Sequence, residues 1–211
     1  MEEKQKEPAI AETAKGNKTN APKKENKDNS VLLSLHDLAF LIAGVLLVFS
    51  LLFRVVVVSG PSMKATLVDG DWLLLLGNVL YGDPKQGDVI VASKDAFDDG
   101  KPIVKRVIAT EGQTVDIDFM AGVVYVDGVA LDEPYTLTPT TLYEGTEFPL
   151  VVEEGCVFVM GDNRNESKDS RSPDIGLLDE REILGRAIFL FLPGTDKNTQ
   201  PRDFSRIGVL S

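Results

Sequence analysis

The sequence predicts a mostly β domain hung on one N-terminal membrane helix. Three observations carry this expectation. A charge-free apolar run occupies Leu38 to Phe53, short β-branched runs punctuated by Gly, Pro, Asp and Asn follow it, and few later segments have a long helical period.

Residues 1–30 hold seven lysines against six acids and almost no large apolar side chains. Such a stretch buries too little to offset its ordering entropy and reads as a disordered cytoplasmic tail. Residues 31–53, VLLSLHDLAFLIAGVLLVFSLLF, follow. A spanning helix needs roughly 20 apolar residues, so this segment fits if His36 and Asp37 sit at one interface and Arg54 snorkels at the other. A buried core helix and a cleavable signal peptide are the rival readings. The long, nearly neutral preceding region and the lack of an A-x-A-like site afterwards favour a permanent anchor. Lys23, Lys24 and Lys27 against Arg54 and Lys64 favour a cytoplasmic N-terminus.

Beyond Arg54, strands are expected at Val55–Val58, Trp72–Leu76, Asp88–Ala92, Ile103–Ala109, Val123–Val126, Val129–Leu131 and Val157–Met160. Asp127-Gly128 between apolar runs signals a two-residue hairpin. A short turn is expected in the DERE stretch from Asp179, and residues 194–211 read as a loop-like tail. The β domain thus spans residues 54–193.

Charge and composition exclude several functions. Residues 54–211 hold 15 basic and 26 acidic side chains, and so carry the whole net charge of −11. That surface repels phosphate backbones, so nucleic acid is not an expected partner. The single histidine, His36, lies in the apolar run, which leaves no imidazole in the β domain for a Ser-His-Asp triad, a Cys-His pair or a histidine-ligated zinc. The lone Cys156 cannot form an intrachain disulfide. Neither S-x-x-K nor G-x-S-x-G occurs.

Without imidazole, a nucleophile would need another base. Ser62, in VVVVSGPSMKATL, follows an apolar strand and the Gly60-Pro61 pair, which can present its hydroxyl on a stiff turn; on this segment alone a plain surface turn is the favoured reading. Lys105, in KPIVKRVIA, shares one face of its strand with Ile103, Val107 and Ala109. A free lysine of pKa ~10.4 is only about 0.04% neutral at pH 7, and burial can lower that pKa by ~3–5 units. The competing reading is a packed stem with its amine in water.

The third patch, VFVMGDNRNESKDSRS, runs from a strand into a turn crowded with Asp162, Arg164, Ser167, Asp169, Ser170 and Arg171. Calcium is rejected, because Arg164 and Ser167 stand where a calcium loop needs a ligand and a glycine. Either a solvated loop or an interlocked scaffold of ion pairs fits. Asn165-Glu166-Ser167 matches a glycosylation sequon, a pattern with many false positives.

Together these patches resemble the type I signal peptidases, the membrane-bound Ser-Lys proteases that include the bacterial leader peptidases. The similarity runs from Arg54 to Pro193 through SGPSMKATL, DGDWLLL, VKRVIATEGQTV, FVMGDNRNESKDSRS and IGLLDEREILGRA, in that order. It implies an antiparallel β-sheet catalytic domain, with Ser62 as nucleophile, Lys105 as general base and Ser167 orienting the base amine. Arg106, Asp162, Arg164, Asp169 and Arg171 would be supporting residues. Val56, Val58, Met63, Leu67 and Val104 would lie near shallow pockets for small side chains. The oxyanion is expected near Gly60 and the Ser62 N–H, with Ser59 as a further candidate.

This chain departs from the family in having Ala65 where proline is common, Gly60 where some members have serine, and ATEGQ in place of GLPGD. The resemblance implies no metal or cofactor, exported preproteins as substrates, membrane lipid as surroundings, and cleavage after Ala-x-Ala segments outside the cytoplasm. The rivals are a LexA-like self-cleaving repressor, which would need a basic DNA-reading region, and a non-catalytic β module displayed on the membrane.

Overall fold

The computed structural model describes residues 27–94, 97, 100–195 and 201–210. Most of the expected tail, residues 1–26, lies outside the described residues. The chain divides into two units, residues 1–43 and 44–211.

Helix α1 covers Lys27–Leu52, so four residues assigned above to the tail are helical. Within it Leu32–Leu52 is long and apolar enough to cross a membrane. His36 lies on this helix, edge-on to Phe40 one turn later. The helix gives way directly to β1 (Phe53–Val57), because the run Val55–Val58 favours the extended backbone.

Further strands are β2 (Trp72–Gly77), β3 (Val89–Ala92), β4 (Ile103–Thr110), β5 (Thr114–Asp118), β6 (Val123–Val126), β7 (Val129–Ala130), β8 (Leu150–Val151), β9 (Cys156–Met160), β10 (Leu178–Asp179), β11 (Ile183–Leu192) and β12 (Gly208–Val209). A short helix, α2 (Asn78–Tyr81), follows β2, and a 3-10 turn at Glu180–Glu182 fulfils the turn expected in DERE. Among the described residues the larger sheet runs β1-β2-β11-β3-β4-β9-β10, with β12 on β11, and the smaller runs β7-β6-β5-β8. Every pairing is antiparallel. The β6–β7 hairpin turns through Asp127 and Gly128, both at positive φ as a primed turn requires.

A long strand lies where none was expected, and one expectation needs correction. ILGRAIFLFL forms the ten-residue strand β11, which pairs with both β2 and β3 and joins the two halves of the larger sheet. Its nearly unbroken apolar run lacks the alternation that marks a half-buried strand. Residues 194–211 are also not simply loop: Phe204–Arg206 form a 3-10 turn, and β12 pairs with Phe189 and Leu190 of β11.

Alternate residues of β9 feed two cores. Phe158 and Met160 pack with Val115, Ile117, Val124 and Val126 of the smaller sheet, whereas Val157 and Val159 pack with Ile90, Val107, Ile175 and Leu178. A third cluster holds Val58, Met63, Leu67, Leu73, Leu75, Val89, Val91 and Val104. The strands thereby fix the ends from which the site loops project.

Gly194, just past β11, donates its N–H to Asp71 at 2.6 Å, and a methyl group on it would overlap the Asp69 carbonyl. Gly194→Ala should therefore cost about 2 kcal/mol. For a chain of this size that lowers Tm by about 4–8 °C in a thermal melt.

Candidate active site

The turn after β1 is shaped by its backbone. Gly60 sits at φ +93°, a conformation that costs glycine little, and its N–H donates to Asp69 Oδ1 at 2.9 Å. Lys64 N–H donates to the Pro61 carbonyl, and Thr66 and Leu67 N–H both donate to the Met63 carbonyl, which curls the chain under Ser62. Met63 and Leu67 anchor the turn from inside the core. The Gly60 N–H is thus already engaged and is not free for an oxyanion. The Ser62 N–H makes no hydrogen bond among the described residues.

Lys105 lies mid-strand in β4, paired across β3 with the fully buried Ile90. The side chain is 4% exposed, and its Nζ stands 3.0 Å from Ser62 Oγ and 3.2 Å from the Val104 carbonyl oxygen. Burial pushes the amine down from 10.5 to about 8, a drop restrained by Asp169, Glu144 and Asp162 and aided by Arg171. The aliphatic face expected around it is only partly realised. A bulge between Val107 and Ala109 breaks the alternation and sends both Ile108 and Ala109 into the core shared with the smaller sheet.

The Gly161–Ser172 loop binds both partners. Asn163 N–H donates to the Ser62 carbonyl at 3.0 Å, and Asn163 Nδ2 donates to the Pro61 carbonyl. Asp162 accepts two bonds of 2.9 Å from Arg106, the neighbour of Lys105, and one of 2.5 Å from Thr66 Oγ1. One carboxylate therefore ties the Ser62 turn to the Lys105 strand. Asp169 accepts from Gly161 N–H and is forked by Arg171, which also donates to the Arg164 and Ser167 carbonyls. Arg164 is held by Glu133, Thr140 and the Gly161 carbonyl. These buried charges are paired and hydrogen-bonded, which is what makes burial tolerable. The loop is a scaffold, not a solvated turn.

Ser167 is buried, and its Oγ has no hydrogen-bond partner among the described residues. A side chain at Gly161 would overlap both Ser167 Oγ and the Ser62 carbonyl, which places Ser167 beside the Ser62 turn. Val58, Met63, Leu67 and Val104 share one core cluster, against which Val56 packs. Met63 and Leu67 are shut off from solvent and can form only the floor of any pocket.

Thr66, Asp69, Glu133, Gly161 and Asn163 were not singled out from the sequence. Gly161 and Asn163 flank Asp162 in the stretch VFVMGDNRNESKDSRS. Glu133 lies in an aperiodic loop and offers no local signal.

Because the folded pKa of Lys105 lies below its unfolded value, the unfolded chain binds more protons between about pH 8 and 10.5. The penalty is full below about pH 8 and fades toward 10.5; the drop corresponds to about 3 kcal/mol. Lys105→Met should accordingly be more stable than the parent by about that amount at pH 7. In denaturant melts across pH, the advantage should shrink at pH 10.

Residues 32–192 match the model of the family described as signal peptidase, peptidase S26. The chain is 34% identical over 179 residues to signal peptidase I of Bacillus licheniformis, covering 81% of this chain and 94% of that relative. It is 40% identical over 164 residues to probable signal peptidase I-1 of Synechocystis, covering 72% and 80%. The crystal structure of a signal peptidase I from Enterococcus faecalis aligns with a TM-score of 0.41 at 28% identity, over 50% of this chain and 97% of that one. With the match extending over most of its length and relatives covered nearly end to end, this chain belongs to the signal peptidase family, peptidase S26.

Proposed function

We propose that this chain is a membrane-anchored serine endopeptidase that removes signal peptides from exported preproteins, with Ser62 as nucleophile and Lys105 as general base. The observation that carries the roles is the 3.0 Å approach of a buried amine to the Ser62 hydroxyl. With its pKa near 8, about a tenth of Lys105 is neutral at pH 7.

Neutral Nζ takes the Ser62 proton as Oγ adds to the scissile carbonyl, and the Ser62 N–H is the available donor for the oxyanion. Lys105 then returns the proton to the leaving amine, which departs and leaves an acyl-enzyme on Ser62. The same amine takes a proton from the water that attacks the ester, and Ser62 is regenerated. Ser167 Oγ, buried and unpartnered, supports a role in orienting the amine once the Ser62 proton has moved.

Two sheet features suit an extended substrate. Strand β1 is an outermost strand of the larger sheet. Strand β9 reaches only as far as Arg106, leaving Ile103, Val104 and Lys105 without a strand partner on that side among the described residues. A cleavage segment can add to either by backbone pairing. Val56, Val58 and Val104 lie together with Met63 and Leu67 in one apolar cluster, which suits contact with the small apolar side chains of an Ala-x-Ala segment.

Residues 31–53 are the proposed span, residues 54–193 the protease domain, and the N-terminus is cytoplasmic, which puts the dyad outside. Val55, Val57, Trp72 and Phe191 form an exposed apolar face suited to lipid; Trp72 and Phe191 meet edge-to-face. An enzyme and its substrate held in one bilayer meet at raised effective concentration.

Ser62→Ala and Lys105→Met, purified in detergent and shown to be folded, should each cut an Ala-x-Ala peptide about a thousandfold more slowly or worse. Near wild-type turnover by either would favour a non-catalytic β module instead. In the parent, the rate should rise about tenfold per pH unit up to about pH 8 and then level. A profile already flat at pH 5 would exclude a lysine base.

A further inference from the structure

The structure holds a contact that the dyad chemistry above does not use. Arg206, from the 3-10 turn Phe204–Arg206, reaches the turn that carries Ser62. Its Nη1 and Nη2 fork the two oxygens of Asp71 at 3.0 and 2.6 Å, and Nη2 also donates to the Thr66 carbonyl at 3.1 Å. Asp71 is fully buried and accepts further bonds from Val68 N–H at 2.7 Å and Gly194 N–H at 2.6 Å. The arginine is itself fixed: Asp203 caps its turn through Ser205, and the next residues pair with β11 through Val209 and Leu210.

We propose that Arg206 is a positioning residue for the nucleophile, holding the Ser62 turn in register with Lys105 through the Thr66 carbonyl and Asp71. The proposal rests on Ser62 being the nucleophile. Its physical basis lies at Ala65, between Ser62 and Thr66, which adopts φ +75°, a region that alanine disfavours. Left to itself, that residue would relax toward negative φ and rotate the peptide groups on either side. Thr66 is gripped from two directions: its hydroxyl donates to Asp162, which is tied through Arg106 to the strand of Lys105, and its carbonyl accepts from Arg206. Removing the guanidinium frees one grip and lets Oγ drift from Nζ. A displacement of about 1 Å can cost about a hundredfold in rate.

The test uses the full chain in detergent, an Ala-x-Ala peptide, and the variants Arg206→Ala, Arg206→Lys and Arg202→Met, the last an exposed control on the same segment. Arg206→Ala should lose about tenfold or more in kcat with KM within about twofold, and its acidic limb should stay where the parent has it, since the base is untouched. Millimolar guanidinium should restore its kcat in a saturable way, Arg206→Lys should fall between, and Arg202→Met should match the parent. Wild-type kcat in Arg206→Ala overturns the proposal, and so does a loss that guanidinium leaves unrepaired. If Arg206→Ala does not fold, Arg206→Lys is read alone, and parental kcat in it is equally fatal. Should Ser62→Ala turn over as well, the nucleophile assignment itself has failed; a dead Ser62→Ala beside a fully active Arg206→Ala removes only the positioning role.

Discussion

The site depends on one constraint: an amine must be kept out of water without being handed a counter-ion. Lys105 is 4% exposed, and its Nζ hydrogen-bonds to a hydroxyl and a backbone carbonyl. Desolvation disfavours the ammonium ion, while any unpaired carboxylate nearby would favour it again. A pKa near 8 raises the neutral fraction at pH 7 from about 0.04% to about a tenth. That is a gain of more than a hundredfold, driven chiefly by burial.

The surrounding loop shows how carboxylates can stand close without defeating this. Asp162 is forked by Arg106 and Asp169 by Arg171, so each acid that pulls the lysine toward its charged form is largely answered by its own guanidinium. Arg106 is answered twice, since Tyr135 also lies beneath its guanidinium at 4.0 Å. Glu144 is the weaker point. One of its oxygens is buried without a hydrogen bond, 3.8 Å from Arg171 Nε, and burial raises its own pKa. A carboxyl driven toward its neutral form is also less able to recharge Lys105.

Much of this was legible in the sequence because it is local or compositional. The missing imidazole directed attention to serine and lysine, the Gly-Pro pair marked the turn, and the charge-dense stretch after Met160 marked the scaffold. What escaped was non-local. The pairing of β11 with both β2 and β3 depends on partners about 90 to 120 residues apart, and the two-residue strands β8 and β10 are too short to show a period and are defined by their neighbours. The engagement of Gly60 N–H by Asp69 could not be read either, since a backbone donor carries no mark of whether it is already used. Arg206 is a similar case: a single arginine in a loop-like stretch gives no hint that a buried aspartate 135 residues earlier will receive it.

The distribution of charge explains why rigidity and reactivity do not compete here. One hydrogen bond between Lys105 and the Ser62 hydroxyl contributes only about 1 kcal/mol, so their 3.0 Å approach cannot by itself hold the site together. The holding is done by bonds to a charged group one residue or one turn away: Arg106, beside Lys105, and the Thr66 hydroxyl, four residues after Ser62, both donate to the Asp162 carboxylate, which joins the two. Charge-assisted bonds are the stronger class and fix direction as well as distance. Placing them on the neighbours of Ser62 and Lys105, and not on the pair itself, lets the fold fix the two proposed reacting atoms without supplying a counter-ion that would hold the amine in its charged form. A counter-ion on Lys105 would have given the same distance with a base that is always protonated.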